Sequence, residues 1–213
     1  MAAKKPAPSA RILLHRLAGM FPNAHCELRF ENPFQLLVGT MLAAQSTDAQ
    51  VNKLTPRLFS RFPDARTMAA GAEAEIQALI KSVGFFRVKA RHLKATCELL
   101  VARHGGDVPR SMNDLVLLKG VGRKTANVVL GYAFGTPEGI VVDTHIGRIS
   151  RRLGFTRHND PVKVERDLMR LLPRTQWIAF GLGAWRLGHH ICRARTPDCA
   201  KCRLNRVCPS SQI

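Results

Sequence analysis

The chain has little that is aromatic or acidic. Aromatic residues fill only 6% of its 213 positions, with a single tyrosine, and 15 Asp and Glu stand against 33 Lys and Arg, for a net charge of +18. No apolar run approaches the ~20 residues of a membrane-crossing helix. The opening MAAKKPAPSA lacks the apolar middle of a secretion signal and reads as a flexible tail with some phosphate affinity. These absences argue against membrane insertion and export. The expected compartment is a reducing cytoplasm, where six cysteines are not a disulfide framework. Strand patterns are scarce as well: Ile140 to Val142 is a short apolar run with no evident partner, and no internal repeat or low-complexity block interrupts the chain.

What is present is helical periodicity and basic charge. Hydrophobic residues make up 46% of the sequence, enough to fill a core. The excess of cations attracts polyanions, nucleic acid first among them. Pro33 opens a helix with Phe34, Leu37, Val38, Met41 and Leu42 on one face. Thr47 and Gln50 suit a capping box ahead of Val51, Leu54 and Leu58. Ile76, Leu79, Ile80 and Val83 form another face, stopped by Gly84. A helix from about Val88 to His104 ends at Gly105-Gly106, and Ser111 caps a short one carrying Leu115 and Leu118. Further helices run from Arg123 to Phe134, through Ile146, Ile149 and Leu153, and from Asp160-Pro161 through Val164, Leu168 and Leu171. Thr175 caps the last, which reaches His190. The expected fold is all-α.

Two stretches carry chemistry. In GVGRKTANVVLG, residues 120–131, two glycines allow a tight turn before a helix whose exposed N–H groups form an anion site. Lys124 stands at its mouth. A phosphate-binding loop of the P-loop type needs glycine directly before the lysine, where Arg123 stands, so that reading fails. In CRARTPDCAKCRLNRVC, residues 192–208, the cysteines are spaced C-x6-C-x2-C-x5-C. So short a segment cannot bury its own core, and a metal centre would supply folding energy. Thiolates bind zinc or iron–sulfur clusters, and the wide gaps fit the paired spacing of zinc sites badly. Cys26 and Cys97 are isolated and read as buried small apolar residues.

With LKGVGRKTANVVLG at 118–131, VDTHIGRISRR at 142–152 and the cysteine array, supported by MLAAQSTDAQVNK at 41–53 and GFFRVKA at 84–90, the sequence resembles the endonuclease III family. These are bacterial helix-hairpin-helix DNA glycosylases and abasic-site lyases of base excision repair. The resemblance spans nearly the whole chain. It implies two helical lobes with a DNA-binding cleft between them. One is a six-helix bundle over 26–136 that contains the helix-hairpin-helix. The other is discontinuous, joining the tail and helix of 1–25 to a cluster lobe over 137–213. It also implies a [4Fe-4S] cluster on Cys192, Cys199, Cys202 and Cys208. The implied partner is duplex DNA with damaged pyrimidines or abasic sites, bound by a monomer in the bacterial cytoplasm, at the nucleoid.

The resemblance makes Lys124 the nucleophile that attacks C1′, expels the base and forms a Schiff base, followed by β-elimination. It makes Asp143 the acid that stabilises the developing sugar cation, although sequence alone favours a helix N-cap. Lys119, Gly120, Val121, Gly122 and Arg123 grip the DNA backbone. Gln45 fills the gap left by the extruded base and Phe85 props the stack open, the alternatives being an ordinary helix end and a core side chain. His145 is a structural or phosphate-contacting residue, and Arg148, with Arg151 and Arg152, suits the DNA backbone. Two positions depart from the family pattern: Lys119 stands where proline is usual, and Phe85 where leucine is common. The rival readings are an adenine-mispair glycosylase, which lacks the catalytic lysine, and a non-catalytic iron–sulfur DNA-binding module.

Overall fold

A computed structural model describes residues 5–213, so the first part of the MAAKKPAPSA tail lies outside the described residues. Helices α1 (Ala10–Met20), α2 (Pro33–Ala43), α3 (Asp48–Arg61), α4 (Ala65–Ala70), α5 (Glu73–Ile80) and α6 (Phe86–His104) follow one another, and no strand occurs among the described residues. Then come α7 (Met112–Leu115), α8 (Arg123–Val128), α9 (Thr144–Arg152), α10 (Pro161–Leu171) and α11 (Trp177–Arg186). Two helices loosen at their ends into π turns, Val129–Ala133 after α8 and Leu187–Ile191 after α11.

Contacts divide the chain into two compact units: Cys26–Glu138, and the residues up to His25 with Gly139–Ile213. In the first, Leu36, Leu37, Leu42, Leu58, Phe62, Met68, Ile76, Ile80, Leu93 and Leu100 are fully buried. This bundle holds one helix more than the periodicity shows. Helix α4, of sequence ARTMAA, is too short for a repeating apolar face. It is set by Asp64, whose carboxylate accepts from the Thr67 N–H at 2.8 Å, while the Thr67 hydroxyl closes a capping box. In the second unit, Leu13 and Leu17 of α1 pack with Ile146, Ile149, Val164, Leu168, Phe180 and Leu187.

Local expectations are corrected at four points. Thr47 caps α3 by accepting from Gln50 N–H at 3.2 Å, but the Gln50 side chain completes no capping box; it donates to the Ser82 carbonyl. Helix α5 ends at Ile80, before Gly84, and Val83 is buried in the turn beyond. Thr175 lies inside a 3-10 turn, Arg174–Gln176, and does not cap α11. Leu171 faces outward, and Leu172, just past the helix, takes the core position. The Gly105-Gly106 stop is as expected, with φ of 63° and 94° and the Gly106 N–H returning to Leu100 O at 2.9 Å.

Candidate active site and cysteine array

The hairpin turn before α8 is pinned from beneath. Leu118 and Val121 are buried, and Val121 N–H donates to Leu118 O at 3.1 Å. Val121 therefore offers a ligand only its backbone. The Lys119 carbonyl accepts from the Thr96 hydroxyl of α6 at 2.9 Å, which leaves the Lys119 side chain exposed. Gly120 is required twice over: its φ is +77°, and a Cβ there would lie 2.7 Å from His92 Nδ1. Gly122 is different. It caps α8 in an extended conformation, and a Cβ there would meet no protein atom within 4 Å. Its missing side chain leaves open surface above the turn. Arg123 and Lys124 are the first two residues of α8, both exposed. One turn later the helix widens into the π turn at Val129–Ala133, a distortion common at functional sites.

Asp143 is the N-cap of α9, accepting from Ile146 N–H at 2.8 Å through one oxygen. Among the described residues no other group donates to this half-buried carboxylate, so capping leaves an oxygen for chemistry. His145, in the first turn, packs 5.5 Å from the His189 ring and 6.3 Å from Trp185. Arg148 corrects an expectation. Its guanidinium turns inward, donating to Gly188 O at 2.7 Å and to Cys192 O at 3.0 and 3.2 Å. Burial, then the neighbouring Arg152, pulls its pKa below the ordinary arginine value. It ties α9 to the cysteine array and presents no free fork to a DNA backbone. Arg152 does the same, donating to Cys192 Sγ at 3.1 Å and to the carbonyls of Arg193 and Ala194 at 2.8 Å.

Gln45 and Phe85 are both exposed, Phe85 by 67%, so the core reading of Phe85 fails. They are also the two non-glycine residues with positive φ among those described, each at 57°. The residue missed from sequence is Lys89, buried on the α6 face that carries Leu93, Thr96, Cys97 and Leu100. A lysine at a core register of an amphipathic helix was the available signal.

The four cysteines of the array are half-buried, and Cys192, Cys202 and Cys208 pack against the core of their unit. Burial raises the Cys202 and Cys208 thiols, and the neighbouring array cysteines add to both shifts, so the four sulfurs act on one another. Four thiols in one short stretch that lower each other's tendency to ionise are a donor set suited to a structural metal centre. The other two cysteines differ. Cys97 is buried, its thiol pushed up to about 12, while Cys26 is only half-buried, its thiol pushed up to about 11, in each case mainly by desolvation.

Comparison with known proteins agrees with this geometry. The family described as HhH-GPD superfamily base excision DNA repair protein matches residues 38–174. Endonuclease III of Synechocystis sp. is 47% identical over 212 residues, covering 100% of this chain and 96% of its own. Endonuclease III of Escherichia coli K12 is 39% identical over 205 residues, 92% of each. Among solved structures, a trapped endonuclease III–DNA covalent intermediate superposes with a TM-score of 0.89 at 43% identity, over 95% of each chain. A non-covalent endonuclease III–DNA complex matches with the same score and identity. No helix among the described residues is long and apolar enough to cross a membrane. With a helix-hairpin-helix turn, a cysteine array and full-length likeness in one all-helical chain, this protein belongs to the endonuclease III family of base excision repair DNA glycosylases and abasic-site lyases.

Proposed function

We propose that the chain removes oxidised pyrimidines from duplex DNA and cleaves the abasic site, acting as a monomer at the bacterial nucleoid. Lys124 is the nucleophile. The observation that carries this reading is an exposed amine on the first turn of α8, two residues after a glycine whose absent side chain leaves open surface. The amine adds to C1′ as the bond to the base breaks and the base leaves with its electron pair; the nitrogen then loses a proton and the C1′–O4′ bond opens, which gives the Schiff base. The resulting Schiff base makes the neighbouring C2′ proton acidic, and its loss expels the 3′ phosphate by β-elimination. Asp143 stabilises the sugar cation through the oxygen that capping leaves available. A covalent protein–DNA intermediate has been trapped for a similar solved endonuclease III, which supports the same chemistry here.

Lys119, the Gly120–Gly122 backbone and Arg123 hold the phosphates, while Gln45 and Phe85 enter the stack as the base leaves it. Their exposure supports these roles. His145 keeps a structural role against Trp185 and His189. Cys192, Cys199, Cys202 and Cys208 would hold a [4Fe-4S] cluster, which supplies folding energy to the C-terminal stretch when bound.

Borohydride reduction of the imine tests the nucleophile, because it fixes protein to DNA. Lys124→Gln is expected to abolish trapping and base release while retaining most DNA affinity. A lysine that merely held a phosphate gives the opposite result: weaker binding, a salt dependence shallower by about one contact, and normal trapping at saturating protein. Asp143→Asn preserves an oxygen for the cap and removes the charge. It is expected to slow base release while leaving abasic-site cleavage, which starts from a ready aldehyde.

A further inference from the structure

Gln45 and Phe85 hold left-handed conformations at a cost, and such conformations persist only where the surroundings over-determine them. Both side chains are exposed, so their own packing does not impose the restraint. It comes from beneath. Lys89 is only 8% exposed, and its Nζ donates to Leu42 O at 2.7 Å and to Ser46 Oγ at 3.2 Å. Leu42 lies in the last turn of α2, just ahead of Gln45, and Ser46 directly follows it. One ammonium therefore grips the chain on both sides of Gln45. The Phe85 carbonyl accepts the Lys89 backbone N–H at 3.0 Å as α6 begins, so the side-chain clasp joins the first turn of α6, next to Phe85, to the chain around Gln45. The two segments also meet directly. A Cβ at Gly84 would lie 3.7 Å from the Gln45 carbonyl, and Gln50 donates to Ser82 O.

A cation is a poor way to fill a core position for stability alone. Burial lowers the pKa of this ammonium, and replacing buried charges by apolar side chains of similar volume is often neutral or stabilising. The negative end of the α2 dipole and two oriented acceptors offset the cost only when the chain around Gln45 is in place. The charge thus rewards one loop conformation.

We propose that Lys89 is a positioning residue, whose ammonium clasps Leu42 and Ser46 to hold Gln45 and Phe85 ready to enter duplex DNA. This rests on the reading of Gln45 and Phe85 as the residues that enter the stack. Without the clasp both segments relax, and their ordering is deferred to the moment when a base must be extruded. An abasic site has no base to extrude, so the loss is selective.

Lys89→Met keeps an apolar stem and removes the donors. Its thermal midpoint is expected not to fall, while amide exchange in the free protein quickens at residues 43–47 and 82–86. Single-turnover excision of a base-paired lesion should slow roughly ten- to hundredfold, the range for a hydrogen bond made by a charged group. Abasic-site cleavage should stay within about twofold, since it skips the extrusion step. If the variant does not fold, Ser46→Ala removes one acceptor and must give the same selectivity at smaller size. Unchanged exchange in the two segments, or equal losses on both substrates, overturns the clasp. Phe85→Ala and Gln45→Ala run alongside: equal losses on both substrates in those variants overturn the stack-entry reading instead, whatever the exchange of Lys89→Met shows.

Discussion

The two units are held together by different forces. Cys26–Glu138 is closed by apolar helix faces, with Phe62, Leu93 and Leu100 among its fully buried side chains. The other unit starts in the same way around Leu13 and Phe180 but ends in a stretch from Cys192 onward that contains turns and no helix. Leu204 is the buried apolar residue of that stretch. Directional ties take the place of burial. Arg152 and Arg148 hold the carbonyls of residues 192–194, Arg16 donates to Arg203 O at 2.6 Å, and Arg203 donates to Gly19 O at 2.9 Å. Burial is summed over many weak contacts and degrades gradually. A web of oriented cations around four thiols has few members and fails together, so this stretch depends on whatever the thiols hold.

The sharpest way to break the comparison is to remove a thiol. With a [4Fe-4S] cluster on the array, purified protein is expected to be yellow-brown and to contain about four irons per chain. Cys199→Ser should lose the iron and unfold the C-terminal stretch, weakening DNA binding more than it alters the chemistry. Amide exchange should then be fast from Cys192 onward and stay slow in Cys26–Glu138. Stoichiometric zinc without visible absorption would sink the cluster assignment, and an equal collapse of both units would erase the distinction between them.

A core deletion tests the other side. Leu93 is fully buried in α6. Leu93→Ala is expected to destabilise its unit by about 2–5 kcal/mol, through lost transfer energy and the cavity left behind. Denaturant unfolding followed by helix content should shift, while the iron content and visible absorption of the array stay unchanged. Loss of iron in this variant would show that the two units do not stand separately.

The same contrast governs what could be read from the sequence. Apolar periodicity exposes helices that are held by burial, so α2, α3, α6 and α10 were legible. Periodicity is silent where polar groups decide. Helix α4 is too short to repeat, and its capping box involves threonine in place of the usual glutamate. Gln50 suited a local cap but serves a carbonyl far along the chain, and no local pattern records that choice. Arg148 and Arg152 read as free cations because sequence gives charge and not direction; their donors go to carbonyls some forty residues away. The exposed site residues were legible through their motif, since a turn that needs Gly120 and frees Gly122 leaves a compact signature. Lys89 was not, because a lysine normally reads as a solvated charge. Only its register on the α6 face marks it.

The smallest effect separates polar ties that carry a unit from those that trim it. Asp64 caps α4 in the unit closed by burial, and it is exposed. Asp64→Ala is expected to cost about 1 kcal/mol, the usual worth of an N-cap, against the wholesale loss in Cys199→Ser. Asp64→Asn should cost less, because asparagine still offers an oxygen to Thr67 N–H. The hydrogen bond from that N–H, with further bonds and Arg66 helping, holds the Asp64 carboxyl below its usual pKa. A depressed folded-state pKa contributes stability above the unfolded value of ~3.9 and loses it as pH falls through the folded value. The gap between wild type and Asp64→Asn should therefore be constant near neutrality and narrow only in acid below about pH 4. Solvent screening keeps that term small. Chemical unfolding of the two proteins between neutrality and that range measures it, and a gap that widens in acid would assign the cap to something other than the ionised carboxylate.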